Sequence, residues 1–334
     1  RAPATALPQA APPPPRGTTP LQAPLLADAA HKHPSQLEES LRKIWNSTQR
    51  PEWANTGRVR LLGDNLTNTT SKIRCDKHKG RKGSQSLEDF YAFNTFFFGK
   101  GGGVFLETGA LNGKLYSNTL NFEDELGWKG LLIEASPHSY KELVVNRPNQ
   151  INVHAALCNE ARTVHWADSR DTKGGKFVNA AVNGIVEFMA PQFKKRFWGS
   201  GVGAPNNVTG AVTFGQPLLC VPLAAILDMY GFSKINWFSL DVEGGEFEVL
   251  QSIDFSKVSF DVVNIEADGK NRQKDEDVRK LMESKGFRLY KHERSGNNDW
   301  FVRKGFRPSA NPLCPDSAET SYRCLMEKAC KESL

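Results

Sequence analysis

The amino-acid sequence predicts an α/β fold built on an open, doubly wound sheet whose strands are mostly parallel. Three observations predict it. Five short apolar runs have the length of buried strands, helical patterns separate most of them, and the last helical pattern is followed by two strand-like runs around a turn-rich segment. Strands that alternate with helices favour a parallel sheet, and the closing pair of runs favours an antiparallel edge.

The five strand-like runs are apolar almost throughout instead of alternating between apolar and polar residues. This pattern is typical of parallel strands that are covered by helices on both faces of a sheet. The runs are Val104–Leu106, Leu131–Ile133, Ile151–Ala155, Trp237–Leu240 and Val262–Ile265.

Helical patterns connect most of these strands. Leu115, Thr119, Phe122 and Leu126 repeat at helical spacing, and Gly127 is placed to end that helix. Ser136 followed by Pro137 has the form of a helix N-cap with proline at the first helical position. Further helical patterns lie at 223–230, 247–250 and 278–282, the last ended by Gly286.

The end of the pattern differs from its beginning. The runs Phe287–Tyr290 and Trp300–Val302 flank Ser295-Gly296-Asn297-Asn298, which is a turn-rich segment and predicts a hairpin. A parallel sheet finished by a hairpin is the layout of the class I methyltransferases, which have a Rossmann-like sheet, although a dehydrogenase could share most of it.

The chain divides into segments of different composition. Nine of its nineteen prolines lie in the first 34 residues, which hold almost no aromatic side chains, so residues 1–36 are predicted to form a disordered stem or linker. Residues 37–83 form a helical or loop extension, 84–306 the catalytic domain and 307–334 a cysteine-containing tail. About 80 residues separate the third and fourth strands, far more than a crossover needs, and 157–222 are therefore expected to form a cap or lid.

Acidic residues follow four of the five predicted strands: Glu107, Glu134, Asp241 and Glu266. Ligands of an open α/β sheet bind beyond the carboxyl ends of its strands. Any one of these acids could simply cap a following loop or helix. Four together favour a binding site.

The first strand leads into a turn that contains two glycines, Gly109 and Gly113, beside Asn112. Glycines there let the backbone turn tightly and approach a ligand, although a simple packing turn has the same composition. The turn is not GxGxxG, and Glu107 would place a negative charge near a diphosphate. Glu107 suits the cationic amino-acid end of S-adenosylmethionine better.

Glu134 ends the second strand, 21 residues after Gly113. A carboxylate at that place can accept hydrogen bonds from both hydroxyls of a ribose. It therefore predicts a cofactor that contains adenosine, and by itself it does not separate NAD from S-adenosylmethionine.

The fourth strand is followed by the densest group of acids in the predicted core, which is Asp241, Glu243 and Glu246 beside two glycines. Burial would raise the pKa of at least one of these carboxyls, which suits a general base that takes a hydroxyl proton. The alternative is an acidic helix N-terminus that complements the helix dipole. For Asp241 and Glu243, a role in catalysis is favoured over that alternative. For Glu246, the two interpretations are equally supported.

Several of these stretches together resemble one family. They are GVFLETGA (103–110), SNTL (117–120), LGWKGLLIE (126–134), FSLDVEGGE (238–246) with VL (249–250), and DWFV (299–302). Over roughly residues 84–304, the chain resembles the FkbM-type methyltransferases. Asn112 departs from the family, whose eukaryotic members often carry Asp there, but an amide still donates and accepts hydrogen bonds.

The resemblance implies O-methylation that depends on S-adenosylmethionine, often on a hydroxyl of a sugar or natural product. It implies cofactor contacts at Glu107, Gly109 and Glu134, and places Asp241 and Glu243 nearest the methyl acceptor. The full set of candidate cofactor contacts is Glu107, Gly109, Asn112, Gly113, Asn118, Glu134, Ala135 and Asp241. The candidate catalytic residues are Asp241, Glu243 and Glu246. No metal is expected, because no His, Asp and Glu residues have convincing ligand spacing.

The charge of the chain gives little reason to expect a nucleic-acid partner. The net charge is +6, and the densest basic stretch, Lys72–Lys82, carries no recognised nucleic-acid motif. We expect a small molecule or a glycan as the acceptor.

Cysteines and glycosylation sequons favour the secretory pathway, and the Golgi lumen in particular. Six cysteines are present, none in a CxxC pair, and Asn-x-Ser/Thr sites occur at Asn46, Asn65, Asn68 and Asn207. No run of about 18 apolar residues occurs, so contact with a membrane is expected only through an anchor upstream of Arg1.

The sequence therefore predicts an O-methyltransferase that uses S-adenosylmethionine. Two other readings stay open. One is a non-catalytic glycoprotein whose sheet serves as a trafficking or interaction platform, and the other is a nucleotide-sugar or NAD enzyme on a similar sheet. The acidic strand ends disfavour the first, and the glycine pattern and terminal hairpin disfavour the second.

Overall fold

The central element of the protein is a mixed sheet of seven strands with helices on both faces. The computed structural model describes residues 35–55, 59–75, 83–168, 183–194, 216–293, 297–314 and 324–333. All of them belong to one compact unit, His33–Leu334. Residues 1–34 of the predicted stem (1–36), Asn207, and parts of the basic stretch and of the expected cap lie outside the described residues. Ser35 and Gln36, which the stem was predicted to include, begin the first helix.

The strands are β1 (Thr67–Asn68), β2 (Gly83–Ser84), β3 (Lys100–Gly101), β4 (Val104–Thr108), β5 (Leu115–Tyr116), β6 (Lys129–Glu134), β7 (Ile151–His154), β8 (Ala156–Leu157), β9 (Arg162–Ala167), β10 (Gly184–Ile185), β11 (Gln216–Val221), β12 (Lys234–Leu240), β13 (Ser259–Glu266), β14 (Phe287–Glu293) and β15 (Asn298–Arg303). The helices are α1 (Gln36–Ser47), α2 (Val59–Leu62), α3 (Glu88–Phe96), α4 (Leu120–Leu126), α5 (Pro137–Asn146), α6 (Pro191–Phe193), α7 (Leu223–Tyr230), α8 (Glu246–Gln251), α9 (Arg272–Ser284) and α10 (Cys330–Ser333), with a 3₁₀ turn at Glu52–Asn55 and a π-helical segment at Leu325–Ala329.

The seven strands of the central sheet lie in the order β7-β6-β4-β12-β13-β15-β14. The five strands from β7 to β13 run parallel, and β15 pairs antiparallel with both β13 and β14. The α/β class predicted from the sequence is confirmed, with all five predicted parallel strands in one sheet. Residues 294–296, which would form the predicted hairpin turn, lie outside the described residues.

Strand order places the ligand-binding edge of the sheet. The chain winds from β4 outwards through β6 to β7, and then returns to the other side of β4 with β12 and β13. The chain segments that leave the carboxyl ends of β4 and β12 therefore run to opposite sides of the sheet. This is a topological switch point, where open α/β sheets bind their ligands.

Both faces of the sheet are covered, as the continuous apolar runs predict. Successive residues of β4 point to opposite sides: Val104 and Leu106 pack into one buried cluster, and Phe105 packs into the other. Helices α7, α8 and α9 contribute to the first cluster, and α3 and α4 to the second. Every residue of α3 is buried, so this helix is an internal layer and not a surface helix.

A second, four-stranded sheet in the order β10-β9-β11-β8 is formed partly by the expected cap region. Strand β8 directly follows β7, and β11 returns parallel to it. A disulfide joins Cys158 to Cys220 at this junction, with Cα atoms 5.6 Å apart. The disulfide thereby ties β11 to the residue that follows β8, and β8 continues the chain from the carboxyl end of β7.

One of the two remaining disulfides ties the C-terminal segment to the domain, and the other closes a loop within that segment. Cys75 pairs with Cys330, and Cys314 pairs with Cys324, so all six cysteines form disulfides. Disulfides are typical of oxidising compartments. Asn311 also donates a hydrogen bond of 2.7 Å to the side chain of Asn94 in α3.

The helix predicted to begin near Leu115 begins only at Leu120, and this prediction was wrong. Leu115 and Tyr116 instead form β5, which pairs with β2. The physical reason is a distant carboxylate. Glu107 accepts hydrogen bonds from the backbone of Asn118 and from two hydroxyls of the same segment, which holds it in a non-helical path. The predicted cap residues of the helices that flank β6 are confirmed, with Gly127 ending α4 and Ser136 beginning α5.

Among the described helices, none combines the length and the apolar character that crossing a bilayer requires.

Candidate functional site

A cleft of about 270 Å³ opens at the carboxyl ends of β4, β6, β12 and β13, at the topological switch point. Its walls come from the main sheet, from the small second sheet and from the loop before β15. The lining residues are Gln85, Glu88, Glu107, Thr108, Gly109, Leu111, Tyr116, Asn118, Ile133, Glu134, Ala135, Ala155, Ala156, Leu157, Trp166, Asn183, Ile185, Ser239, Asp241, Val242, Glu243, Glu266, Lys270, Asn297 and Asn298.

Gly109 brings the first and fourth strand ends into direct contact. Its φ is +78°, and a Cβ at this position would lie 1.8 Å from the carbonyl oxygen of Asp241. Only glycine fits so close an approach. The turn after β4 and the acidic segment after β12 are therefore one continuous surface.

Glu107 is buried, and groups of the chain itself donate hydrogen bonds to its carboxylate. It accepts hydrogen bonds from the hydroxyls of Ser117 (2.9 Å) and Thr119 (2.6 Å) and from the backbone N–H of Asn118 (2.7 Å). Burial raises the pKa of the Glu107 carboxyl, and the charge of Arg147 opposes that rise. Glu107 thus shapes the cleft floor by holding the 117–119 segment in place.

Arg147 is a cation that donates hydrogen bonds to the same 117–119 segment. It is almost completely buried and donates to the carbonyl of Gly113 (3.1 Å) and to the hydroxyl of Ser117 (3.0 Å), and it also pairs with Glu123. The sequence analysis did not identify Arg147, because its partners lie about 25 to 35 residues away along the chain.

Glu134 lies at the end of β6 and lines the cleft. One carboxylate oxygen accepts from the N–H of Leu111 and the other from the N–H of Ser136, both at 2.7 Å. Two backbone donors thus fix the orientation of this carboxylate at the strand end. Ala135, the next residue, also lines the cleft.

The remaining candidate cofactor residues divide into two groups. Asn118 lines the cleft, and its side-chain amide donates to the hydroxyl of Ser239 at 2.8 Å. Asn112 and Gly113 lie outside the cleft lining. The side-chain oxygen of Asn112 accepts from the N–H groups of Lys114 and Leu115, so Asn112 stabilises the turn.

Three carboxylates converge at the other end of the cleft. Asp241, Glu243 and Glu266 each bring a carboxylate oxygen within 4.8 Å of the others. Glu266 comes from β13, whose end lies beside that of β12. No hydrogen bond or ion pair from the described part of the chain reaches any of these three carboxylates, so they are available to a ligand. Three such oxygens also have the spacing of cation ligands, although the sequence spacing predicted no metal.

Desolvation and the repulsion of neighbouring carboxylates raise the pKa of each acid in this cluster. The Asp241 side chain is exposed to the open cleft, but desolvation by the surrounding protein is still the largest cause for Asp241, followed by the charge of Glu246, and its pKa rises to about 6. Burial and the charge of Asp241 raise the pKa of Glu243 to about 9. The pKa of Glu266 is also raised, mainly by burial. At neutral pH this leaves Asp241 ionised and Glu243 protonated.

Glu246, the third candidate catalytic residue, lies beneath the cleft and does not line it. Its side chain is completely buried, and it pairs with Lys274 at 2.7 Å. Its other oxygen accepts from the backbone N–H groups of Val242 and Gly244. In this geometry Glu246 contacts the loop that carries the acids and not a bound ligand.

The cleft also contains residues that the sequence analysis did not assign to a site. Trp166 and Asn183 come from the second sheet, and Asn297, Asn298 and Lys270 come from the loops around β13 and β15. The only available signal was their position after a strand or within the long insertion, and neither feature selects individual residues.

Fold and site together define an α/β protein with an acid-lined cleft at the carboxyl ends of its parallel strands. Residues 107–289 match the Methyltransferase FkbM domain family, which covers more than half of the chain. The chain belongs to the FkbM methyltransferase family, as the sequence motifs predicted. Membership supports methyl transfer as the general activity.

One solved structure with detectable likeness is the precorrin-6y C5,15-methyltransferase from Geobacter metallireducens GS-15. The two chains are 10% identical, the match covers 73% of this chain and 96% of the other, and the TM-score is 0.31. A likeness this weak carries no argument about fold or function. No curated protein matches the chain significantly in sequence.

Proposed function

We propose that this protein transfers a methyl group from S-adenosylmethionine to a hydroxyl of a carbohydrate acceptor in the secretory pathway. The observation that carries the proposal is the composition of a single cleft. One end holds Glu134 at the second strand of the sheet, and the other holds the Asp241, Glu243 and Glu266 cluster. A cofactor site and a proton-accepting group thus share one cavity.

The residues present fit an adenosine cofactor. Glu134 lines the cleft at the end of β6, the place from which a carboxylate binds ribose hydroxyls in open α/β sheets, and Gly109 allows the backbone to turn closely at the switch point. The sheet order, with a parallel set closed by an antiparallel edge, fits the class I methyltransferase arrangement. S-adenosylmethionine supplies an electrophilic methyl group when it is bound.

The acceptor end of the cleft fits a neutral molecule rich in hydroxyls. The cleft lining includes the amide residues Gln85 and Asn297. The carboxylates of the acidic cluster, which no hydrogen bond from the described residues reaches, would accept hydrogen bonds from acceptor hydroxyls. Asp241 would orient the reacting hydroxyl and take its proton, and the protonated Glu243 would donate a hydrogen bond beside it. Holding the hydroxyl in line supplies a further share of the rate.

The secretory placement is supported by three disulfides and by exposed sequons. Asn46, Asn65 and Asn68 are all exposed on the described surface. Disulfides persist in oxidising compartments, and N-glycosylation occurs on accessible asparagines. These features support a luminal enzyme such as one of the Golgi.

Purified protein is expected to bind S-adenosylhomocysteine with micromolar affinity, and Glu134→Ala is expected to lose at least about 10-fold of that affinity. The reason is the loss of charge-assisted hydrogen bonds to the ribose. Isothermal titration calorimetry measures both, with NAD as the ligand control and Glu142→Ala as the protein control. Glu142 does not line the cleft.

Absence of binding by folded wild-type protein would contradict the enzyme function. It would favour the hypothesis of a non-catalytic interaction platform, because that hypothesis needs no cofactor. Tighter binding of NAD than of S-adenosylhomocysteine would favour the dehydrogenase reading.

The pH dependence of kcat/KM is expected to be bell-shaped. Activity should rise as the pH passes the Asp241 pKa of about 6, because the base must be ionised. It should fall as the pH passes the Glu243 pKa of about 9, because the hydrogen-bond donor is then lost. The measurement is transfer of labelled methyl from S-adenosylmethionine to a pool of neutral glycans between about pH 5 and 10. A profile flat across the acidic limb would remove Asp241 from the role of base.

A further inference from the structure

Two buried, oppositely charged side chains lie directly beneath the segment Asp241–Gly245, called here the Asp241 loop. Glu246 is completely buried and Lys274 almost so, and their oxygen and nitrogen atoms are 2.7 Å apart. Neither side chain lines the cleft. The pair therefore acts on the site only through what it holds.

Glu246 holds the backbone on both sides of Glu243. The N–H of Val242 donates to it at 3.1 Å and the N–H of Gly244 at 3.0 Å, both to the same carboxylate oxygen. Between them, Glu243 has a φ of +55°, a conformation that residues with a side chain rarely adopt. Such a conformation persists only where its surroundings enforce it, and Glu246 provides that enforcement.

Lys274 connects the same loop to the neighbouring strand end. Its ammonium group lies 2.7 Å from Glu246 and donates to the backbone carbonyl of Glu266 at 3.4 Å. Lys274 stands in the first turn of α9, which follows β13. One cation thus bridges the two segments that carry the three acids of the cleft.

We infer that Glu246 is a positioning residue that, with Lys274 holding its second carboxylate oxygen, sets the placement of Asp241 and Glu243 at the acceptor end of the cleft. The inference rests on the proposed methyl transfer and assigns Glu246 a role different from that of an acid or base. A buried ion pair is weak evidence for stability alone, since apolar residues of similar size often do as well. Apolar residues, however, cannot accept the two N–H groups of the Asp241 loop.

Two double variants separate positioning from general stability. Lys274→Met/Glu246→Gln and Lys274→Met/Glu246→Leu both remove the Glu246 and Lys274 charges together. Both also lose the 3.6 Å contact of Lys274 with Asp275, so that loss is common to the two variants. They differ in one respect. The amide oxygen of Gln can accept from the loop N–H groups, and the Leu side chain cannot.

The Gln double variant is expected to keep kcat within about 5-fold of wild type, and the Leu double variant to lose about 100-fold. A displacement of about 1 Å in a reacting group costs a factor of this size. The KM for S-adenosylmethionine should stay within about 2-fold in both, because Glu134 lies at the end of β6, which β4 separates from β12. Rescue by Gln, together with a loss confined to kcat, is the result expected of positioning residues.

A third variant covers the case in which the Leu protein does not fold. Glu246→Asp retains both charges but shortens the side chain by one methylene, and it should lower kcat by at least about 10-fold while thermal unfolding stays cooperative. Equal kcat in the Gln and Leu double variants, or wild-type kcat in Glu246→Asp, would overturn the inference alone. A folded wild-type protein without any methyl transfer would overturn the proposed function and this inference with it.

Discussion

Asp241→Asn is expected to lower kcat for methyl transfer by about 100- to 10,000-fold while S-adenosylhomocysteine affinity stays close to that of wild type. The amide has the shape of the carboxylate but cannot take the proton of the acceptor hydroxyl. Asp241 is the acid of the cluster most open to the cleft, and its pKa of about 6 leaves it ionised at neutral pH. Its side chain accepts no hydrogen bond from the described residues, so the change breaks no internal contact.

The measurements are steady-state kinetics for turnover and calorimetry for the cofactor product. Asp228→Asn is a suitable control, because Asp228 forms an exposed ion pair with Lys257 and does not line the cleft. We expect its kcat within a few-fold of wild type, about the effect of a lost surface ion pair. Equal losses of affinity and kcat in Asp241→Asn would assign Asp241 to the cofactor instead of the acceptor.

Gly109→Ala is expected to abolish cofactor binding and to lower the free energy of unfolding by more than about 2 kcal/mol. Two costs combine. The φ of +78° disfavours any side chain, and the added methyl group would lie 1.8 Å from the Asp241 carbonyl oxygen, which belongs to the backbone and cannot rotate away. Relief of the clash must separate β4 from β12, where the N–H of Asp241 donates to the carbonyl of Thr108 at 3.2 Å.

Gly127→Ala provides the matched control. Gly127 has a similar φ of +66°, but no atom lies within 4 Å of an added Cβ. It should therefore show only the conformational cost, about 1 kcal/mol, with unchanged affinity for S-adenosylhomocysteine. Urea unfolding and calorimetry on both variants test the comparison. Similar stability and affinity in the two variants would show that the close approach at Gly109 does not matter.

The parallel strands could be predicted because burial on both faces leaves a continuous apolar signal in the sequence. Val104–Leu106 and Trp237–Leu240 are examples, and the structure extends each by two or three residues into less apolar flanks. The start of α4 could not be predicted in the same way. The spacing of Leu115 and Thr119 looks helical, and only the contact from Glu107, ten or more residues earlier in the chain, prevents the helix there.

Residues of the candidate site could be predicted where they follow a strand, and could not be predicted elsewhere. Glu134 and Asp241 stand at strand ends, so the rule for open sheets finds them. Lys274 and Arg147 lie on or just after helices and act through partners that are distant in sequence, a relation that one sequence does not contain. The disulfide pairing is similar, since six cysteines allow fifteen connectivities and spacing does not choose among them.

The Cys158–Cys220 disulfide closes the insertion between the third and fourth parallel strands into a covalent loop. The two ends of the insertion are joined by this bond, and β8 and β11 pair beside it. The segment between them is a closed loop, and lengthening a closed loop costs little free energy. A change in the length of this segment is therefore expected to cost the main sheet little stability.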